Sequence, residues 1–236
     1  MLYSVASLPI YGMLLLNSVV PFGEGLEAWA FLSEQIGRFD FWIFMLASAV
    51  LLPPVYEEIA VRGYMLGRLR ENFGPIGAVI VSSFLFMLSH GHFYKADAVA
   101  LLSMATGIFA VICWGYVTVR TGTLLPAMVA HALFNLPIPR EWQALLPVVL
   151  IQLIIIAVGR KIIAEYAVQF LADWRASDRK TMALGVALVM VFLVPILTLN
   201  AAGVNGVAVP LGVVWLVAAL AISVFAFIRR AREQRA

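Results

Sequence analysis

The chain has 236 residues, of which 63% are hydrophobic and 12% charged, and a net charge of +3. Soluble domains carry about twice that share of charge, so the composition excludes an ordinary soluble enzyme and points to a membrane protein. The single cysteine, Cys113, excludes an internal disulfide and a cysteine-rich metal centre, and it reads as a small buried apolar residue in mid-span.

A membrane helix needs about 20 mostly apolar residues, and such stretches recur along the chain. Residues 1–22 carry no charged side chain and form a first span, with Pro9 and Pro21 near its ends. They show neither a basic n-region nor a small-residue cleavage site, so no removable signal peptide is expected. Residues 23–40, with Glu24, Glu27, Glu34 and Arg38, read as an exterior loop with a short helix. A second span begins at Phe41, runs through Glu57 and Glu58 toward Arg68 and Arg70, and is broken at Asn72-Phe73-Gly74-Pro75. Residues 76–93 and 98–119 are the third and fourth spans, with Lys95 and Asp97 between them, and Arg120-Thr121-Gly122 is a tight turn. The fifth, 123–137, is short and bounded by Pro137 and Pro139, which suits packing against protein rather than lipid. Residues 142–159 are the sixth.

Residues 160–180 change character. Ile162, Ile163, Tyr166, Phe170, Leu171 and Trp174 recur at helical spacing among Arg160, Lys161, Arg175, Arg179 and Lys180. That is the pattern of an amphipathic helix lying on a membrane surface, with a soluble connector helix as the plainer alternative. Residues 181–228 are free of charge and split near 200–206 into spans seven and eight, followed by a basic tail. The expected architecture is therefore all-α and polytopic, a single membrane domain of about eight spans, 1–236. It comprises a motif core at 41–137, the interfacial helix at 160–180 and two C-terminal spans at 181–228. Of the sixteen Lys and Arg, Arg38, Lys95 and Arg140 fall on one side. All the others except Arg62, which is within a span, fall on the opposite side, so both termini are expected in the cytoplasm. The basic tail is explained by that topology and implies no nucleic-acid partner.

Charge inside a span costs roughly 2.5–3.5 kcal/mol on insertion scales, so the ionisable residues there mark a site. Glu57, Glu58 and Arg62 fall within six positions, and His90 and His131 with Asn135 lie in other spans. Glu58 and Arg62 are four apart and share a helix face, whereas Glu57 is rotated by about 100°. One carboxylate can pair with Arg62 while the other faces a cavity unneutralised, the setting of a general base. A histidine beside a carboxylate can hold and polarise a water. A second histidine with an asparagine amide can donate to a developing oxyanion. Glu57 and His131 each lie eleven residues from a basic helix end, about 16 Å deep, while His90 is about 22 Å from Pro75. The plainer readings are a structural ion pair and interhelical hydrogen bonds. His92 points away from His90 on a helix and reads as an interfacial residue. All three histidines fall in or beside this constellation, which favours a site.

Glu57-Glu58-x-x-x-Arg62, Phe86-x-x-x-His90 and His131-x-x-x-Asn135, in this order and each in a span, resemble the three motifs of the CAAX protease and bacteriocin-processing (Abi) family of intramembrane proteases. The resemblance covers roughly residues 51–136 and includes the type II CAAX prenyl endopeptidases. It implies an eight-helix fold with a catalytic cavity open toward the cytoplasm. It also implies hydrolysis of membrane-bound or lipidated peptides. By position, Glu57 and His90 would activate water, His131 and Asn135 would form an oxyanion hole, and Glu58 and Arg62 would orient and charge-balance the site. Val61 stands where family members often carry an aromatic residue, a matter of packing rather than chemistry.

Glu57, His90 and His131 with an open position also fit zinc, and the resembled family is often described as metalloproteases. The donor character of His131 and Asn135 favours a metal-free, glutamate-activated water, for which no cofactor is expected. A proton-coupled transporter and a non-catalytic scaffold or immunity factor of the same fold are the competing functions; no repeat symmetry supports the former. A bacterial inner or plasma membrane is the expected location. Prenylated proteins, bacteriocin precursors, signalling peptides and membrane-anchored regulators fit equally as substrates, and nothing in the sequence fixes the oligomeric state.

Overall fold

The structure, a computed structural model, describes residues 1–19, 37–90, 98–136 and 142–179, with Ala183 and Ala187. The described residues form helices and turns without strands. Residues 23–36 of the expected exterior loop, His92, Lys95, Asp97, Pro137, Pro139, nearly all of spans seven and eight and the basic tail lie outside the described residues.

Helix α1 is Leu2–Val19. A long helical run follows, made of α2 (Phe39–Met45), a π-helix π1 (Leu46–Leu51), α3 (Leu52–Glu58), a second π-helix π2 (Ile59–Met65) and α4 (Leu66–Leu88). Helices α5 (Ala98–Thr121), α6 (Leu125–Phe134) and α7 (Trp142–Ala176) complete the order. Among the described residues three stretches are long and apolar enough to cross a membrane: Phe39–Leu88, Leu102–Thr121 and Leu145–Ala176. Leu2–Leu16 and Leu125–Phe134 are shorter apolar helices.

The expected break before Pro75 is present. Gly74 adopts φ 65° and ψ 179°, a conformation that a side chain disfavours, inside α4. A straight helix would hold Arg62 and Phe86 about 36 Å apart, yet the Arg62 guanidinium stands 4.7 Å from the Phe86 ring centroid. The chain therefore folds back at Gly74 into a hairpin. Gly122, at φ 69°, ends α5 by donating its N–H to the Thr118 carbonyl at 2.9 Å, as expected for the tight turn there. Pro126 sits in the first turn of α6, where its missing N–H costs nothing.

The third span is shorter than its expected extent to residue 93. Helix α4 stops at Leu88. Ser89 turns its hydroxyl back to donate to the Phe86 carbonyl at 2.7 Å, which satisfies a terminal acceptor and ends the ladder. The change of character expected at Arg160 falls within one continuous helix. Helix α7 runs through it for 35 residues, about 52 Å long, because nothing at Gly159-Arg160 interrupts the backbone hydrogen bonds. Its far end is tied to α5: Tyr116 donates to Asp173 at 2.9 Å, and Arg120 lies 3.6 Å from the same carboxylate.

The main core gathers Ala6, Val61, Phe86, Met104, Trp114 and Ala130 from α1, π2, α4, α5 and α6. Small residues let these helices approach closely, as in other membrane bundles. A Cβ at Gly115 would meet Val79 at 3.3 Å, and one at Gly107 would stand 2.6 Å from Met87. Ile43, Phe44, Leu51, Leu52, Val55 and Ile59 instead face outward, as expected of a surface solvated by lipid.

Candidate active site

The polar heart of the bundle lies where α3, π2, α5 and α6 meet. Glu58 ends α3 and is completely buried. Its Oε1 accepts from Arg62 Nη1 at 2.8 Å and from His131 Nδ1 at 2.8 Å. Arg62 is itself buried and donates from Nη2 to the Val111 carbonyl at 3.5 Å. Two charges taken out of water are tolerable only when paired and hydrogen-bonded, and this arrangement supplies both. The question left by the spacing is thereby decided: Glu58 is the carboxylate paired with Arg62.

Glu57 occupies the other side. Its side chain remains 24% exposed, its Oε2 lies 3.7 Å from His131 Nε2, and its Oε1 accepts from the Tyr56 hydroxyl at 3.3 Å. The 3.7 Å gap is too long for a direct hydrogen bond, and one water at about 2.8 Å can touch both atoms. The two adjacent carboxylates have thus been separated into a buried structural one and an accessible one.

The hydrogen bonds also fix the histidine nitrogens. A carboxylate paired with a guanidinium only accepts, so His131 Nδ1 carries a proton toward Glu58. Its Nε2 therefore accepts in the neutral ring and donates only in the imidazolium. His90 lies just past the end of α4 rather than on it. Its Nδ1 is 3.0 Å from the Phe86 carbonyl, which places the proton there and makes Nε2 the accepting nitrogen of the neutral ring. The expected pairing of Phe86 with His90 survives the early helix end, with ring centroids 4.7 Å apart.

An aromatic cage orients these groups. Trp114 stacks on His131 with centroids 4.9 Å apart and planes at 23°, and Phe86 meets the same imidazole edge-on at 5.9 Å. The Arg62 guanidinium lies over Phe86 at 4.7 Å and near Trp114 at 5.7 Å, within cation–π range. Asn135, one turn after His131, donates from Nδ2 to the Ala49 carbonyl in π1 at 2.8 Å. One of its two amide hydrogens is thus engaged with backbone.

The structure brings Glu57, Glu58, Arg62, His131 and the Phe86–His90 pair together, and it sets Asn135 beside π1. The sequence reading did not single out Trp114, Val111 or Ala49. Stacking of Trp114 is a tertiary fact without a local signal. Ala49, in contrast, was legible through Pro53 and Pro54, which lack the N–H groups its carbonyl would use. Among the described residues no three His, Cys, Asp or Glu side chains gather closely enough to hold a metal ion.

Residues 39–137, somewhat under half of the chain, match a family model described as Rce1-like, type II CAAX prenyl endopeptidase Rce1-like. No curated protein and no solved structure matches the chain. The matched stretch runs from the start of α2 past the end of α6 and contains Glu57, Glu58, Arg62, His90, His131 and Asn135. Through this segment the chain is similar to the Rce1-like type II CAAX prenyl endopeptidases.

Proposed function

We propose that the protein is an intramembrane endopeptidase that hydrolyses peptide bonds of membrane-bound or lipidated substrates with a water activated by Glu57. The observation that carries this reading is the division of the carboxylate pair. Glu58 is neutralised by Arg62, while Glu57 stands half-open beside His131 Nε2 at 3.7 Å.

A water between Glu57 and the accepting Nε2 of His90 loses its proton to Glu57 as its oxygen attacks the carbonyl carbon. The tetrahedral oxyanion accepts from Nε2–H of His131 in the imidazolium form and from the second amide hydrogen of Asn135. Collapse breaks the C–N bond, and the proton held by Glu57 passes to the leaving amine. Glu58 and Arg62 fix the imidazole and balance the charge. Such base catalysis contributes about 10²–10⁴-fold, and an oxyanion donor a further 10²–10³-fold or so.

The bundle would comprise about eight spans with both termini in the cytoplasm. The Arg120–Asp173 contact supports that side assignment by placing the basic ends of α5 and α7 together. Comparing the protein termini of membranes from cells carrying wild type or Glu57→Gln tests the reading. New termini that require Glu57 and persist in a zinc chelator are expected. Identical termini in both strains would leave a non-catalytic scaffold as the better account.

A further inference from the structure

The Ala49 carbonyl lies in the π1 helix directly before Pro53-Pro54. In an α-helix the carbonyl of residue 49 accepts from the N–H of residue 53, and in a π-helix from that of residue 54. Both positions are proline, which has no N–H. The remaining helical donor, the N–H of Leu52, is already given to Ala47. The sequence therefore leaves the Ala49 carbonyl an acceptor that no helical register satisfies, at a depth where water cannot be relied on. Asn135 Nδ2 fills it at 2.8 Å from a helix that follows 86 residues later in the chain.

We infer that Pro53 and Pro54 are positioning residues of the site: by freeing the Ala49 carbonyl they build the acceptor that fixes the Asn135 amide. The bond locks α6, which carries His131, against the run that carries Glu57 and Glu58. It also leaves the second amide hydrogen of Asn135 with a defined direction. The consequence for catalysis rests on the peptidase reading above; the bond itself does not.

The two ideas separate in a double-mutant cycle read by thermal unfolding in detergent. Pro53→Ala/Pro54→Ala restores an N–H for Ala49, and Pro147→Ala, inside α7, controls for proline removal. In the wild-type background Asn135→Ala orphans a carbonyl and should lower Tm by about 3 °C or more. In the Pro53→Ala/Pro54→Ala background the same change should leave Tm within about 1 °C. Equal shifts in both backgrounds would overturn the inference. If the double replacement does not fold, Pro53→Ala and Pro54→Ala are taken singly, and a full Asn135→Ala shift in both would overturn it equally. Where wild type cleaves a substrate, Pro53→Ala/Pro54→Ala should keep or raise Tm while kcat falls about tenfold or more and KM holds within about twofold. Pro147→Ala should retain wild-type kcat. An unchanged kcat in Pro53→Ala/Pro54→Ala would also overturn the positioning role. A wild type without peptidase activity would refute the proposed function and leave the Tm cycle to decide the bond.

Discussion

Two adjacent glutamates with the same chemistry are given different tasks by what surrounds each. Glu58 is buried against Arg62 and His131, and Glu57 is left accessible. Removing one partner of a buried pair leaves an uncompensated charge. Arg62→Met should therefore cost about 3–5 kcal/mol, seen as a loss of folded protein in thermal unfolding. Arg62→Lys keeps the charge but loses the planar contact with Phe86 and Trp114, so it should recover only part of that loss. Trp114 acts through His131, whose face it covers. Trp114→Ala opens a cavity and should cost about 3–5 kcal/mol. Trp114→Phe keeps an aromatic face and should recover most of the stability. If Trp114→Ala and Trp114→Phe unfold alike, the stack contributes nothing specific.

At the scale of elements, interruptions in the helices place the site. π1 and π2 flank α3, and π-helical turns recur at functional sites because they shift the register of a helix face. Gly74 turns α4 back so that Phe86 reaches Arg62. A Cβ at Gly74 would meet nothing within 4 Å, so any cost of substitution is a backbone cost. Gly74→Ala should destabilise by about 1–3 kcal/mol, the penalty for a side chain at positive φ with ψ near 180°, a region that essentially only glycine occupies. Gly74→Asn should cost as much, since asparagine's tolerance of positive φ is confined to ψ near about 30–60° and Gly74 has ψ 179°. Equal stability of all three proteins in thermal unfolding would show that the hairpin does not depend on this φ.

At the scale of the molecule, Met1 lies against Gly159 and Arg120 against Asp173. The start of α1 therefore packs partway along α7, and α7 reaches beyond it to the end of α5. With a length of about 52 Å, α7 exceeds a hydrocarbon core of about 30 Å and has residues to spare beyond one face. Cysteines introduced at Arg70, Gly122 and Ser177 should all react with a membrane-impermeant maleimide from the cytoplasmic face alone. Labelling of any of them from the opposite face would overturn the assignment of sides.

The sequence by itself determined the membrane class, the helical state of each described apolar stretch, the breaks at Gly74 and Gly122, and the candidates Glu57, Glu58, Arg62, His90, His131 and Asn135. Each follows from local causes: apolar length, glycine and proline geometry, and the cost of charge in lipid. It misjudged the end of α4, where Ser89 closes the last turn with its own hydroxyl, and it did not show that residues 142–176 form one continuous helix. Only the tertiary structure decided which glutamate is neutralised and which histidine nitrogen carries the proton. It also supplied the stacking of Trp114 on His131 and the engagement of Asn135 with Ala49. Those depend on contacts between residues tens of positions apart, and helical periodicity carries no information about which faces of separate helices meet.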